Sequence, residues 1–418
     1  MARIVNPEFG VRQYICQGAG CVSKLPEIIR RERWKRVLLV SGPTLYRNGA
    51  AKPVEDGIRQ GGAELEVFNN VRPNPEAATI DREAVPAALA FNADAIVAFG
   101  GGSTLDTAKG VAIVAGSGKR VLDFTIGKIS TNEQLEHKTL PMVAIPTTAG
   151  TGSEVCKNAV ISDEMGIKLV LAHESILPKY ALLDTDMLKT LPFSVAVATT
   201  MDAFVQALET FTNRNANDFT RTLSLRALEL SGKSIRQFAA NPADPVAAND
   251  ISLACMYAGF SLGLAGIGQD HIITHPMSEE PFHIAHGDAC AMVLPAVIEF
   301  NGMSCKELYR QAYNALTGRH TPAQKFDVRY LIDWVAELNA DLHVAGDKSF
   351  AEWGFNDDTL ELMMKHPIIQ SAAQRNSLGD DTEHPRITSL EDYRTIIKRT
   401  AVYSEAQAAY ARSRANQV

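Results

Sequence analysis

Short apolar runs alternate with helix-like stretches through the first half of the chain. Each run is bounded by glycine, proline or polar residues, as buried strands usually are. The predicted strands are 36–40, 65–68, 94–99 and 141–145, after a short strand and glycine-rich turn within 9–21. Helical stretches are predicted at 44–59, 77–91 and 104–115. Strands that alternate with helices predict parallel βαβ units, and therefore an α/β domain built on a parallel sheet.

The second half of the chain changes to helical periodicity. Amphipathic stretches at 195–210, 220–239, 249–264 and 330–342 repeat their apolar positions at helix spacing, and strand signals are nearly absent. We therefore expect a domain boundary near residue 190, with an α/β domain over 1–190 and an all-α domain over 191–418. The small and polar residues of 406–418 are expected to fray.

The amino-acid composition limits the kinds of molecule that this chain is expected to bind. Of the 418 residues 46% are hydrophobic and 21% charged, as in ordinary globular enzymes. The net charge of −7 argues against nucleic acid or an anionic membrane as a main partner. No apolar run approaches the roughly 18 residues of a membrane span. Six scattered cysteines and an N-terminus without a signal-peptide core lead us to expect reduced thiols and a cytoplasmic location.

A glycine loop follows the predicted strand 94–99. Gly100, Gly101 and Gly102 stand in a row, and Ser103 opens the next predicted helix. Glycine lets the backbone approach a phosphate closely, and a helix N-terminus offers free N–H groups. The spacing matches neither the G-x-G-x-x-G fingerprint nor a P-loop. A tight turn without a ligand is the less favoured alternative.

Three loops are expected to meet at one edge of the sheet. Parallel sheets bind ligands at the carboxyl ends of their strands. The loops 41–44, 100–103 and 147–153 each follow a predicted strand, so we expect them to form one crevice.

The helical half carries residues of the type that bind metals. Asp202 and Gln206 are four apart on a predicted helix, and four histidines fall within 271–286. Two of these, His271 and His275, have the i, i+4 spacing that presents two imidazoles on one helix face. Imidazole with carboxylate suits iron, zinc or nickel. Buried structural histidines, or a proton shuttle, remain alternatives.

Taken together, these motifs resemble the iron-containing, or group III, alcohol dehydrogenases. The resemblance covers nearly the whole chain. It rests on the glycine motif of 100–109, Pro-Thr-Thr-Ala-Gly-Thr-Gly-Ser-Glu at 146–154, Met-Asp-Ala at 201–203, and the histidine block of 271–287 with Leu-Pro at 294–295 and Phe-Asn at 300–301. It implies a Rossmann-like NAD(P)-binding domain, a helical metal-binding domain of dehydroquinate synthase-like architecture, and an active site in the cleft between them. The implied reaction is reversible hydride transfer between an alcohol and an aldehyde or ketone.

The resemblance also implies roles for individual residues. His271 and His275 would take part in catalysis, with His275 handling the proton. The metal, iron(II) first with zinc or nickel as alternatives, would be held by Asp202, Gln206, His271 and His286. The cofactor, NAD or NADP, would be bound by Gly42, Gly100, Gly101, Gly102, Ser103, Asp106, Thr147, Thr148, Ser153 and Lys168. A homo-oligomer, most simply a dimer, and a small-molecule substrate are expected.

Three departures from the family pattern stand out. Gln206 replaces the first histidine ligand, so we expect a weaker metal site. His286 is displaced by one residue through an insertion within 278–284. Gly42 stands where many NAD-dependent members carry an aspartate for the ribose, so NADP is not rejected by charge and NAD is only mildly preferred.

Other functions are compatible with the same residues. They are a metal-independent reductase of the maleylacetate reductase kind, a non-redox lyase like dehydroquinate synthase, and a binding protein that has lost its metal. Lys157, Glu279 and His283 are candidates for lying near the substrate. Lys157 would then recognise an acidic group, although a solvated surface lysine is equally expected.

Overall fold

The computed structural model describes residues 13–130, 132–378 and 383–415. These residues form two compact units that divide between Thr190 and Leu191. The first unit is an α/β unit. The second is helical wherever it is described.

Eight strands lie within the described residues of the first unit. They are β1 (Tyr14–Gln17), β2 (Arg36–Ser41), β3 (Glu64–Phe68), β4 (Ala95–Gly100), β5 (Met142–Pro146), β6 (Asn158–Ser162), β7 (Lys168–Ala172) and β8 (Tyr180–Leu183). Six of them form a parallel sheet in the order β1-β8-β5-β4-β2-β3. The strands β6 and β7 form a separate antiparallel pair.

Six helices accompany these strands in the described part of the unit. They are α1 (Leu25–Glu32), α2 (Pro43–Arg47), α3 (Lys52–Gln60), α4 (Ala77–Thr79), α5 (Val85–Ala90) and α6 (Gly102–Val114). A π-helical turn, Ile80–Ala84, joins α4 to α5. Helices and sheet together enclose two apolar cores.

The apolar runs of the central strands result from burial on both faces. On β2, Leu38 and Val40 belong to one core, and Val37 and Leu39 to the other. All four are fully buried. Successive side chains point to opposite faces of a sheet, so a strand covered on both faces has no polar alternation. The four predicted strands are confirmed as β2 to β5 to within one residue, although β3, at the sheet edge, alternates polar and apolar residues.

Three strands of the first unit are absent from the prediction. The pair β6 and β7 and the short β8 lie in a stretch without intervening helices, so no alternation indicates their pairing. Of the strand and turn predicted within 9–21, β1 lies at Tyr14–Gln17, while residues 9–12 lie outside the described residues.

The second unit contains nine helices among its described residues. They are α7 (Phe193–Thr212), α8 (Asp218–Ala240), α9 (Pro245–Ala265), α10 (Gln269–Met277), α11 (His286–Thr317), α12 (Arg329–Asp341), α13 (Asp357–Met364), α14 (Pro367–Leu378) and α15 (Leu390–Ala415). Four of these, α7, α8, α9 and α12, confirm the predicted amphipathic stretches.

The fraying predicted for 406–418 is wrong up to Ala415. Helix α15 continues to that residue, with Ala408 and Ala411 buried. Small apolar side chains let a helix pack closely, so a stretch rich in alanine is a docked helix here and not a loose end. Residues 416–418 lie outside the described residues.

Among the described helices, none is by itself both long and apolar enough to cross a membrane. One bent pair, α9 with α10, meets that test on length and composition, with an angle of 104° between the two helices.

Candidate active site

The glycine loop lies where strand order reverses in the sheet. The chain leaves β2 for β3 on one side and leaves β4 for β5 on the other. Ligands of open α/β sheets bind at such a switch point, outside the carboxyl ends of the strands. Gly100 ends β4, and Gly101 caps the N-terminus of α6.

Two of the three glycines are packed too closely for larger residues, and the third, Gly101, has a tighter neighbour than most residues have. A Cβ on Gly100 would lie 2.3 Å from Thr104 Oγ1, and one on Gly102 would lie 2.5 Å from Thr151 Cγ2. A Cβ on Gly101 would lie 3.2 Å from the Thr148 hydroxyl. The loop therefore exposes backbone N–H groups at a helix N-terminus, a surface that fits a phosphate group. Ser103, in the first turn of α6, is partly buried beside them.

The neighbouring loops join this edge of the sheet as predicted. Thr147 follows β5, and its backbone N–H donates to the Gly100 carbonyl at 3.0 Å. Gly42 follows β2 and caps α2, and no atom lies within 4 Å of where its Cβ would be. Since β2 and β5 both pair with β4, the three loops lie side by side.

Behind the loop, two hydrogen bonds hold the Asp106 carboxylate of α6 in place. The Ser153 hydroxyl donates to Asp106 Oδ1 at 2.6 Å, and the Val160 N–H donates to Asp106 Oδ2 at 2.9 Å. Burial raises the pKa of Asp106, against the opposing charge of Lys109. Cofactor contacts for Asp106 and Ser153 stay predictions, and they would add to these bonds.

Lys109 is fully buried on the same helix. Its ammonium donates to Ser153 Oγ at 2.8 Å, to the Cys156 carbonyl at 2.9 Å and to the Asn158 carbonyl at 2.6 Å. A buried charge needs such partners. The remaining predicted cofactor residue, Lys168, is partly buried at the start of β7, opposite Ser162.

In the helical unit, four side chains bring their donor atoms together. Asp202 comes from α7, His271 from α10, and His286 and Cys290 from α11. One oxygen, nitrogen or sulfur atom of each lies within 4.8 Å of the others. Carboxylate, imidazole and thiol are donors for a transition metal, so the set fits such an ion. The imidazole of His286, which follows the predicted insertion, lies with the other donors.

A glycine permits this approach of α11 to α7. A Cβ on Gly287 would lie 1.6 Å from the carbonyl oxygen of Ala198, so only glycine fits there. The close contact places His286 with its Nε2 3.9 Å from Asp202 Oδ1. Residue 287 thus positions the histidine that precedes it.

Glu209 orients one of the imidazoles and was missed by the sequence reasoning. Its Oε2 accepts from His271 Nδ1 at 2.6 Å, which leaves His271 Nε2 facing Asp202 Oδ1 at 3.3 Å. The carboxylate also accepts from the N–H groups of Gly268 and Asp270, at the start of α10. Carboxylates of this kind set the tautomer of ligating histidines. Its spacing of seven residues from Asp202, on the same helix face, is the signal that identifies it.

The charges in this cluster shift several pKa values. Burial alone would lower the pKa of His271, but the carboxylates of Glu209 and Asp202 raise it well above its usual range. Burial opposes ionisation of Asp202, yet the neighbouring histidines bring its pKa below the ordinary value. Burial, aided by Asp270, raises the pKa of the Cys290 thiol well above its usual range.

Gln206 lies beside the cluster but presents its nitrogen. Its Nε2 donates to Asp202 Oδ1 at 2.8 Å, while its buried Oε1 has no hydrogen-bond partner within the described residues. The side chain is 4% exposed. Its predicted role at the metal stays a prediction.

His275 and the three substrate candidates each have local partners or neighbours. His275 is buried one turn after His271, with its ring centre 6.0 Å from that of His286. Glu279 pairs with His366 at 3.0 Å. The exposed His283 pairs with Glu280, and Lys157, in the other unit, lies 3.9 Å from Glu174.

Comparison with known proteins assigns the chain to a family. The model of the iron-containing alcohol dehydrogenases matches residues 13–185, and the model of the C-terminal domain of Fe-containing alcohol dehydrogenases matches 196–388. The chain belongs to the iron-containing alcohol dehydrogenase family. The family assignment confirms the predicted reaction class, oxidoreduction at a CH–OH group with a nicotinamide cofactor.

Individual family members align over most of their length. Long-chain-alcohol dehydrogenase 1 of Geobacillus thermodenitrificans is 31% identical over 371 residues, 88% of this chain and 91% of the relative. The NAD-dependent methanol dehydrogenase of Bacillus methanolicus is 28% identical, over 91% and 96% of the two chains. The solved alcohol dehydrogenase of Oenococcus oeni superposes with a TM-score of 0.82 at 27% identity, over 93% and 98% of the two chains. These matches confirm the fold and favour the dehydrogenase over the lyase.

Proposed function

We propose that this family member interconverts a small alcohol and its aldehyde or ketone at a divalent metal held by Asp202, His271 and His286. The observation that carries the proposal is the meeting of these three donors beside Glu209, which holds His271 with its Nε2 toward Asp202. One carboxylate and two imidazoles are enough protein ligands for a catalytic site. Iron(II) is the first candidate ion, with zinc or nickel as alternatives.

The residues of the helical unit have different roles in the proposed reaction. Asp202, His271 and His286 hold the metal, which when bound supplies Lewis acidity at the substrate oxygen. Glu209 orients His271. Gln206 donates a hydrogen bond to Asp202 and so holds the carboxylate oxygen in place. His275 carries the proton between the alcohol and solvent.

The loops of the sheet bind the cofactor. The N–H groups around Gly101 hold the pyrophosphate, Ser103, Thr147 and Thr148 line the same crevice, and Lys168 contacts the ribose. The nicotinamide ring, when bound, supplies or accepts the hydride. Gly42 presents no carboxylate to the 2′ position of the ribose, so NADP is used as well as NAD, with NAD preferred.

Metal content and turnover together test the proposal. The purified protein is dialysed against chelator, reloaded with iron(II), zinc or nickel, and assayed by NAD(P)H absorbance with a panel of alcohols and aldehydes. Turnover should follow metal content. Asp202→Ala should lose both, while Thr199→Ala, one turn earlier on α7, should keep both. Full turnover by protein shown to be metal-free would overturn the metal assignment in favour of a metal-independent reductase.

A further inference from the structure

Cys290 lies among the proposed metal ligands, although nothing in the family resemblance assigns it a role. It follows His286 by one turn of α11, so both side chains leave the same face of the helix. Its sulfur lies 3.8 Å from His286 Nε2, and the residue is fully buried. It is therefore a fourth donor in the cluster and not a cysteine at its edge.

The distances between donor atoms suit four-coordination. An ion with bonds of about 2.0–2.1 Å to nitrogen or oxygen and about 2.3 Å to sulfur separates its tetrahedral ligands by roughly 3.3–3.6 Å. The distance from Asp202 Oδ1 is 3.3 Å to His271 Nε2 and 3.9 Å to His286 Nε2. The distance between His286 Nε2 and the Cys290 sulfur is 3.8 Å, slightly longer than this range. The two longer distances exceed the tetrahedral range by about 0.2–0.3 Å, and all four donor atoms lie within 4.8 Å of one another.

Gln206 does not supply the fourth donor in this structure. At its position, one turn after Asp202, the side chain turns its nitrogen to Asp202, and a nitrogen of this kind is a donor of hydrogen bonds and not a metal ligand. Its buried oxygen has no hydrogen-bond partner within the described residues and is free to accept a hydrogen bond from a metal-bound water. The site thus has a neutral amide at position 206, where an imidazole would bind a metal strongly. It also has the Cys290 thiol, on the neighbouring helix.

We propose that the Cys290 sulfur coordinates the metal as a thiolate and completes the site in place of the imidazole that Gln206 replaces. The inference rests on the proposed metal site and deepens it. The thiol loses its proton to solvent as the metal–sulfur bond forms. Thiolate is a soft ligand, so the site prefers zinc or cobalt(II) to manganese(II) or magnesium.

Cobalt(II) substitution tests the sulfur directly. Cobalt(II) in wild-type protein should give visible d–d bands together with a near-ultraviolet sulfur-to-cobalt charge-transfer band. Cys290→Ser should lose the charge-transfer band and keep the visible bands. Cys305→Ser is the matched control, because Cys305 is also buried on α11 but lies outside the cluster; it should keep both.

A second measurement needs no variant. X-ray absorption of the zinc-loaded wild-type protein should show one sulfur at about 2.3 Å among nitrogen and oxygen neighbours. In chelator competition, Cys290→Ser should weaken zinc binding more than manganese binding.

The outcomes separate this inference from the proposed function. Visible cobalt bands without a charge-transfer band, or a zinc neighbourhood without sulfur, would overturn the role of Cys290 and leave a site of Asp202, His271 and His286. A wild-type protein that binds neither cobalt nor zinc would overturn the metal site and this inference together, whatever its NAD(P)H turnover.

Discussion

The two candidate sites differ in the chemical groups that form them. The site at the sheet consists of backbone N–H groups and of places where any side chain would collide, as at Gly100 and Gly102. The site in the helical unit consists of side-chain donors from α7, α10 and α11. A backbone site of this kind does not tolerate an added side chain. A site of side-chain donors tolerates the loss of one donor where a neighbour supplies another.

The largest effect is expected from filling the glycine loop. Gly101→Val places a branched side chain where the phosphate approaches, while the Thr148 contact at 3.2 Å needs only a small shift of the neighbour. We expect dinucleotide affinity to fall by at least about 100-fold, roughly 2.7 kcal/mol, with the fold retained. NADH fluorescence titration and thermal unfolding measure the two. Gly302→Ala, on α11, is the control, since its Cβ meets only ordinary contacts. Wild-type titration by Gly101→Val would show that the loop does not bind the cofactor.

In the helical unit, the next largest effect is expected from changing Glu209, which contacts the proposed ligand His271. Glu209→Gln weakens the acceptor for His271 Nδ1 while keeping nearly the same shape. Metal affinity should fall about 10- to 100-fold, measured by chelator competition with zinc. Glu299→Gln is the control, because Glu299 pairs with Arg399 away from the cluster. Equal affinities in the two variants would mean that His271 needs no orienting carboxylate.

A smaller change tests what side chains add to the backbone site. Gly42→Asp has room, since no atom lies within 4 Å of the new Cβ. Its carboxylate should accept from the ribose hydroxyl and repel a 2′-phosphate, and so shift the ratio of kcat/KM for NAD over NADP by about tenfold, or about 1.4 kcal/mol. Gly42→Asn, of equal size but uncharged, should shift the ratio much less. An unchanged ratio in Gly42→Asp would place residue 42 away from the ribose.

The smallest effect concerns charge pairs that join distant helices. Asp341, on α12, accepts from Arg236 of α8 at 2.7 Å and from Arg414 of α15 at 2.5 Å. Burial opposes ionisation of Asp341, but the two arginines bring its pKa below the ordinary value. A lowered pKa means that the folded state favours the charged carboxylate. Its stabilisation is therefore present above the ordinary aspartate range and is lost as the pH falls through the lowered value.

Asp341→Asn should accordingly reduce the free energy of unfolding by about 1 kcal/mol at neutral pH, as for partly exposed ion pairs. The difference from the wild type should shrink as the pH falls below 4 or so, where the carboxylate of the unfolded chain also becomes protonated. Urea unfolding at several pH values measures both. A difference that stays constant with pH would show that packing, and not charge, is what Asp341 contributes.

The contrast between the backbone site and the side-chain site also explains which residues could be predicted from the sequence. The glycine loop is contiguous along the chain, and its neighbours follow strands with unmistakable apolar runs, so the sheet and its loops could be located. Asp202, His271 and His286 could be named because their motifs are local. Glu209 and Cys290 were missed because their contacts arise between helices. Yet each lies at helix spacing from a predicted ligand, seven residues after Asp202 and four after His286.

The buried ammonium of Lys109 has a consequence for how this chain can diverge. Two of its acceptors, at Cys156 and Asn158, are carbonyl oxygens, which every amino acid carries. Mutations at positions 156 and 158 leave those acceptors in place, whereas no other side chain at 109 combines this reach with a compact cationic end. Genetic drift is therefore expected to alter positions 156 and 158 more readily than position 109, so that this buried lysine would persist for a structural reason.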